Sequence, residues 1–194
     1  MLHEISIEGP AFRLRPINDD DAAFVVRLRT DPSLNRYLHS TPLNVEKQIT
    51  WLRDYYNRPN DYYFVIERRS NGVPEGVVSL YDIDPQTACG EWGRWVLKSN
   101  SLAAPESSWL IYRCAFEQIQ LKSVYCRTVA ANEAVVSFHD SVGFMNRTTL
   151  PRHFCIDGTP MDAIEHTVDL ARWNEISPDL QRMAEIVARR LSRG

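Results

Sequence analysis

Two short stretches of the chain carry side chains whose types and spacing suit chemistry. In the first, Gly90-Glu91-Trp92-Gly93-Arg94-Trp95-Val96-Leu97, period-two alternation of a strand sets Glu91 on one face with Gly93 and Trp95. A carboxylate so placed is a candidate proton acceptor; the plainer reading is a polar strand residue or a carboxylate that binds an incoming molecule. Asp82 and Asp84, just upstream, are weaker alternatives. The second stretch runs from Asn132 to Phe144. On an α-helix His139, seven residues after Asn132, returns to nearly the same face about 10 Å further along, so one ligand can touch both. An imidazole donates from its N–H even when neutral, and an ordinary pKa of about 6.5 suits it to proton transfer near neutrality. The plainer readings are a helix N-cap for Asn132 and a helix-surface histidine.

These residues need elements to hold them. Phe12 to Pro16 alternates like a short strand, and Asn18-Asp19-Asp20-Asp21 supplies N-caps for a helix to about Leu28. A second amphipathic helix fits Val45 to Tyr56, ended by Pro59-Asn60. Tyr62 to Arg68, Gly76 to Asp84 and Cys89 to Leu97 read as strands of an antiparallel meander. Pro105 opens a helix with Trp109, Tyr112, Phe116 and Ile119 on one stripe. Ser123 to Ala130 reads as a strand, Asn132 to Ser141 as a helix ended by Gly143, and Phe144 to Leu150 as the strand leaving it. Arg152 to Asp157 and Met161 to Val168 flank a hairpin turn at Asp157-Gly158. Pro178 to Leu191 sets Leu180, Met183, Val187 and Leu191 on one helix face, which either caps the domain or pairs subunits into a homodimer. The order is that of an α+β chain.

Composition narrows the field. With 194 residues and 44% hydrophobic content, the chain can bury a core as one domain. Charged residues make up 24% with signs well mixed, and the net charge is −3, which gives no electrostatic reason to expect nucleic acid or an anionic membrane as partner. Cys89, Cys114, Cys126 and Cys155 are widely separated, with only His153 near the last, so no metal site is expected and the thiols read as free. Free thiols suit a reducing compartment. Met1 to Pro10 lacks a signal-peptide plan and no apolar run is long enough to span a bilayer, so the expected location is the cytoplasm.

The two stretches also carry a resemblance. Gly90 to Leu97 resembles the fourth strand of the GNAT superfamily of N-acetyltransferases, where a glutamate precedes an aromatic-valine segment. Asn132-Glu133-Ala134-Val135-Val136-Ser137-Phe138-His139-Asp140-Ser141-Val142-Gly143-Phe144 resembles that family's Asn-rich helix ending in Gly-Phe. With the element order, the likeness spans roughly Phe12 to Leu170. It implies a mixed, mainly antiparallel central sheet flanked by helices, with residues 1–172 as the acetyltransferase domain and 173–194 as a C-terminal helical extension.

The resemblance also implies roles. Acetyl-CoA is the co-substrate and a small-molecule primary amine the acceptor. Glu91 becomes the general base, and His139, where the family commonly has a tyrosine, the acid for the departing sulfur. The backbone of Trp95, Val96 and Leu97 pairs with pantetheine at an open strand edge, Asn132 hydrogen-bonds the same arm, and Phe138 lines it or joins the core. Between Lys98 and Pro105, a glycine-free and shortened Ser99-Asn100-Ser101-Leu102-Ala103-Ala104 replaces the family's Gln/Arg-x-x-Gly-x-Gly/Ala loop. The small residues Ser101, Ala103 and Ala104 permit close approach to pyrophosphate, Ser99, Ser101 and Ser107 offer hydroxyls, and Lys98 offers charge. Tyr37, His39, Trp51, Tyr55 and Tyr56 fall where the family builds its acceptor pocket, and an aromatic there can stack on a nucleobase or sugar. The helix order resembles that of acetyltransferases acting on nucleotide-linked amino sugars for surface glycans. A protein N-terminal acetyltransferase and a non-catalytic acyl-CoA-binding or interaction module with a degenerate loop are the alternatives.

Overall fold

The computed structural model describes residues 2–144 and 146–193. Eight strands form one sheet in the order β1-β2-β3-β4-β5-β6-β8-β7: β1 (Ile7–Glu8), β2 (Phe12–Pro16), β3 (Tyr62–Arg68), β4 (Pro74–Asp84), β5 (Cys89–Leu97), β6 (Ser123–Val129), β7 (Arg147–Ile156) and β8 (Thr159–Asp169). Every pairing is antiparallel except β5 with β6. A parallel neighbour needs a crossover, and α3 (Ala104–Arg113) supplies it.

The sheet is covered on both faces, which explains the nearly unbroken apolar run of β3. Tyr63 and Val65 pack with Val25, Leu28 and Leu52 of α1 (Ala22–Thr30) and α2 (Val45–Tyr55). Phe64 and Ile66 belong to the opposite core, with Trp109, Leu110, Ile111 and Tyr112 of α3. α4 (Glu133–Ser141) and α5 (Leu170–Leu191) complete that second layer. Asn18 and Asp21 form a reciprocal capping box ahead of α1, and Asn44 caps α2 by accepting from the Lys47 N–H.

Three boundaries differ from the sequence reading. The stripe running to Ile119 leaves the α-helix at Cys114, where a wider turn closes with the Ile119 N–H donating to the Cys114 carbonyl at 3.0 Å. The segments on either side of Pro151 form one strand, β7, with a bulge at Arg152 (φ 51°); Met145, within the expected start of that strand, lies outside the described residues. α5 starts at Leu170, well before Pro178, because Asp169 caps it by accepting from the Arg172 N–H. Trp173, Ile176, Leu180 and Ala184 of α5 are buried in the main core, with Trp173 stacked 5.6 Å from Tyr112. Of the two roles open to this helix, capping is the one its packing fulfils within the chain. The Asp157-Gly158 turn has positive φ at both residues (48° and 80°), as a two-residue hairpin loop requires.

Candidate active site

The parallel pairing of β5 with β6 covers only Cys89 with Ser123, Gly90 with Val124 and Glu91 with Tyr125. Beyond Glu91, β5 stays bonded to β4 alone and β6 to β8 alone, so Trp92 to Leu97 present an open edge to a gap in the sheet. Glu91 sits where the gap begins. Its Oε1 accepts from the Tyr81 hydroxyl at 3.0 Å and its Oε2 from Arg127 Nη1 at 3.1 Å, and Arg127 is shared with Glu165 at 2.8 Å. Only 6% of Glu91 is exposed. Burial pushes its carboxyl above the usual range, against the opposing pull of the Tyr81 hydrogen bond and the Arg127 charge. A carboxylate so raised is a better proton acceptor than a solvated one.

Trp95 does not share that face. Arg94 takes φ 49° and the register with β4 slips between Val77 and Ser79, a bulge that breaks the two-residue alternation. Trp95 therefore points to the α3 side, its ring 5.5 Å from Trp92 and its Nε1 donating to Ser107 Oγ at 3.1 Å. Val96 faces the α1–α2 core, and Leu97 packs with the α3 core.

The glycine-free loop solves its geometry differently from the expected way. Asn100 supplies a left-handed residue (φ 63°), a conformation Asn tolerates. Ser101 Oγ donates to buried Glu75 at 2.6 Å, Glu75 is held by Arg68, and Ser101 Oγ accepts from the Ala103 N–H at 3.2 Å. The Ser101 and Ser107 hydroxyls are thus committed to protein partners, Glu75 for the first and Trp95 and the Ala104 carbonyl for the second, rather than to an anion, which corrects their expected roles as donors; Ala103 is fully buried. Lys98 is exposed, and Ala104 opens α3 half-buried.

Asn132 does not cap α4. Its backbone (φ −84°, ψ 65°) leaves the extended range typical of a cap, and its side chain makes no capping bond. Among the described residues that side chain has no partner, so it remains available to a ligand. His139 is 1% exposed, inside an aromatic box: ring centroids lie 5.4 Å from Trp92, 5.9 Å from Trp95, 5.5 Å from Phe138 and 5.5 Å from Phe144. It is not a helix-surface residue. Burial, reinforced by neighbouring His166, lowers its pKa to about 3, against the opposing charge of Asp140. Titration near neutrality is therefore corrected: His139 is neutral there and can act only as a neutral N–H donor or acceptor. Phe138, half-buried 5.4 Å from Trp95, joins the same core.

That depressed pKa sets a stability prediction. Between about pH 6.5 and 3 the unfolded chain binds a proton at His139 that the folded chain refuses, so stability falls as pH falls. Denaturant titration should show His139→Phe sparing about 2 kcal/mol of the loss the unsubstituted protein suffers between pH 7 and pH 5. An equal loss in both would mean that His139 keeps an ordinary pKa.

The expected acceptor-pocket aromatics divide. Tyr55 is buried with its hydroxyl accepting from the Tyr63 N–H, and Tyr56 donates to Asp19. Trp51 carries Arg58 over its ring at 5.0 Å. Tyr37 reaches across the gap to donate to the Ala131 carbonyl at 2.8 Å, while Ser33 meets Ser99 at 3.1 Å; the α1–α2 connection thus touches both banks. His39 is exposed. Asp84 is spent on its own turn, accepting from Gln86 and Thr87. Asp82 lines a polar pocket of about 380 Å³ with Arg58, Asn60, Asp61 and Arg94, which the sequence reading did not find because it joins three distant segments. Arg94 links that pocket to the base: it pairs with Asp61 at 2.6 Å and lies 4.3 Å over the Tyr81 ring.

Among the described residues no helix is long and apolar enough to cross a membrane, and no three His, Cys, Asp or Glu side chains gather as metal ligands.

Residues 12–145 match the family described as Acetyltransferase (GNAT) domain. The chain belongs to this family and is an acetyl-CoA-dependent N-acetyltransferase. Its structure superimposes on apo FdhC, a nucleotide-linked sugar GNAT, with TM-score 0.77 and 26% identity over 94% of this chain and 99% of that one. A GCN5-related N-acetyltransferase from Brucella melitensis gives TM-score 0.81 at 19% identity, covering 93% and 86% of the two chains. A point mutant of the spermidine N-acetyltransferase SpeG from Vibrio cholerae gives 0.72 at 17%, covering 84% and 95%. No curated protein matches the chain in sequence.

Proposed function

We propose that the enzyme acetylates the primary amine of a nucleotide-linked amino sugar in the cytoplasm, an acceptor from the biosynthesis of surface glycans. The observation that carries this reading is the pocket on the Glu91 face. Beside the Arg94–Asp61 pair, Arg58, stacked on Trp51, and Asp82 have no ion-pair partner among the described residues, so the pocket offers a cation and an anion that no ion pair neutralises. An acceptor bearing both an ammonium and phosphate groups complements that pair. A polyamine, with positive charge alone, would satisfy Asp82 but leave Arg58 without a counter-charge, since Arg94 is already paired with Asp61. The likeness to a nucleotide-linked sugar GNAT supports the same class.

In the reaction the neutral amine attacks the thioester carbonyl, its proton passes to Glu91 directly or through water, and the carbon–sulfur bond then breaks. The thiolate leaves with a proton from solvent, and His139 offers its neutral N–H to the sulfur. The open β5 edge pairs with the amide groups of the pantetheine arm, and Asn132 bonds that arm from α4. Lys98 and the start of α3 face the pyrophosphate.

Calorimetric titration with acetyl-CoA and with CoA, followed by acetylation assays on a UDP-linked amino sugar, spermidine and a peptide with a free N-terminus, tests the reading. Saturable binding and preference for the nucleotide sugar are expected. Preference for spermidine or the peptide overturns the acceptor class, and absence of binding by folded protein at millimolar ligand favours a non-catalytic module. Asn132→Ala should weaken acetyl-CoA binding roughly tenfold, the worth of one hydrogen bond, with the melting temperature unchanged because the side chain caps nothing.

A further inference from the structure

Tyr81 and Glu91 are direct cross-strand partners of β4 and β5, and the ladder is irregular on both sides of them. On one side Asp82 (φ 49°) is the extra residue of a bulge in β4; on the other Arg94 (φ 49°) is the extra residue of a bulge in β5. Positive φ is uncommon outside glycine, and for a residue as long as arginine it is costly without a local reason. The two bulges bound a regular stretch of three pairs, Ser79 with Gly93, Leu80 with Trp92 and Tyr81 with Glu91, the last of which adjoins the Asp82 bulge. The Arg94 bulge turns its guanidinium onto the face of the Tyr81 ring, 4.3 Å from the centroid, where Asp61 holds both of its terminal nitrogens, at 2.6 and 3.0 Å. At the other end the Tyr81 hydroxyl reaches Glu91 Oε1. Gly93 completes the device: a Cβ there would sit 2.6 Å from the Tyr81 hydroxyl oxygen and 3.3 Å from two of its ring carbons. Any side chain at Gly93 displaces the hydroxyl that Glu91 accepts from.

We infer that Tyr81 is a positioning residue for acetyl transfer, seated by the Asp82 and Arg94 bulges and by the absence of a side chain at Gly93, so that Glu91 meets the acceptor amine in one fixed orientation. The inference rests on Glu91 being the base. Tyr81 holds its own proton throughout, since burial and the adjacent Glu91 charge raise its pKa far above neutrality. It is therefore a donor and not itself the base. Each Glu91 oxygen accepts one protein bond and retains a lone pair for the amine proton or a water.

The charged and titratable groups around Glu91 are Tyr81 and Asp82 from β4, Tyr125, Cys126 and Arg127 from β6, and Glu165 from β8. Of these the Tyr81 hydroxyl and Arg127 favour the ionised carboxylate, while Asp82 and Glu165 oppose it. Removing the Tyr81 hydroxyl leaves burial and the two acids less opposed. The acidic limb of the kcat/KM profile must then move to higher pH.

The test compares Tyr81→Phe, Gly93→Ala, the double variant and Glu91→Gln, with one acceptor throughout so that the amine's own titration cancels. Tyr81→Phe is expected to lower kcat about tenfold, as loss of one hydrogen bond to a charged group would, to leave KM for acetyl-CoA unchanged, and to shift the acidic limb upward. Gly93→Ala should do the same, and in the Tyr81→Phe background it should cost less, because the hydroxyl oxygen at 2.6 Å is gone and only the two ring-carbon contacts at 3.3 Å remain. Additive losses, or a Tyr81→Phe enzyme with an unmoved acidic limb, overturn the positioning role, with melting temperatures reporting any merely structural effect. If Gly93→Ala fails to fold, the acidic limb of Tyr81→Phe decides alone. Glu91→Gln separates the two failures: full turnover in that variant removes the base itself, whereas an inactive Glu91→Gln enzyme beside a Tyr81→Phe enzyme with the wild-type profile removes only the positioning.

Discussion

Glu91→Gln should lower kcat by about 10²- to 10⁴-fold, the range that general-base catalysis contributes, while calorimetry finds the affinity for acetyl-CoA unchanged. The split follows from where Glu91 sits. It lies at the last position of β5 paired with β6 before the gap opens, on the α1–α2 face, whereas the edge expected to hold the pantetheine arm is the backbone of Trp95, Val96 and Leu97. Glutamine keeps the length and an oxygen for the Tyr81 hydroxyl but removes the lone pairs that take a proton. It also turns an amide donor toward Arg127, whose remaining carboxylate partner, Glu165, keeps the guanidinium neutralised. The expected structural cost is therefore small, and a melting temperature near that of the unsubstituted enzyme accompanies the lost turnover. Unchanged turnover at saturating substrates would remove Glu91 from the chemistry and leave it as a strand carboxylate pinned by two donors.

How far the sequence made this legible depended on how local the cause was. The β3 run, the Asn18 and Asp21 caps and the Asp157-Gly158 turn were readable because residue type alone fixes them. An open edge of β5 at Trp95 to Leu97 was expected from the family likeness, and the pairing of β5 with β6 ends at Glu91 with Tyr125. What was lost was phase and burial. Arg94 gives no sign of a bulge, so strict alternation set Trp95 beside Glu91, and one extra residue moved it to the other face. His139 follows a helical pattern that leaves it ambiguous between surface and core; its enclosure comes from Trp92, Phe144 and His166, brought in by three separate strands and loops. The same holds for Ser101, whose hydroxyl looks like a phosphate donor until Glu75, from another strand, claims it.

Glu106→Ala should lower the melting temperature by roughly 6 to 12 °C, corresponding to about 3 kcal/mol in a chain of this size. An acidic residue in the first turn of a helix ordinarily serves its own helix end. Glu106 instead turns away from α3, fully buried, and its Oε1 accepts from the N–H groups of Ala11 and Phe12 at 2.8 and 2.7 Å. It thereby ties the turn between β1 and β2 to the helix that begins beside the Ser99–Ala103 loop. Alanine leaves the buried Phe12 N–H and the half-buried Ala11 N–H without their acceptor, which is where the loss arises. Gly9→Ala should produce a related loss by another route, since a Cβ at Gly9 would overlap Glu106 Oε1 itself. Glu106→Gln supplies the control, keeping the acceptor oxygen without a charge. Burial raises the Glu106 carboxyl above its usual range despite the two backbone bonds, so the folded chain holds that proton more tightly than the unfolded one. Its contribution is then full below the ordinary carboxyl range and diminishes as pH rises through the folded pKa, and the glutamine variant should lack this decline. Because the lost bonds anchor the start of α3, the alanine variant should also bind acetyl-CoA more weakly at temperatures where it remains folded. A Glu106→Ala protein with unaltered melting would mean that the two N–H groups find water instead, and that the β1–β2 turn does not depend on α3 for its place.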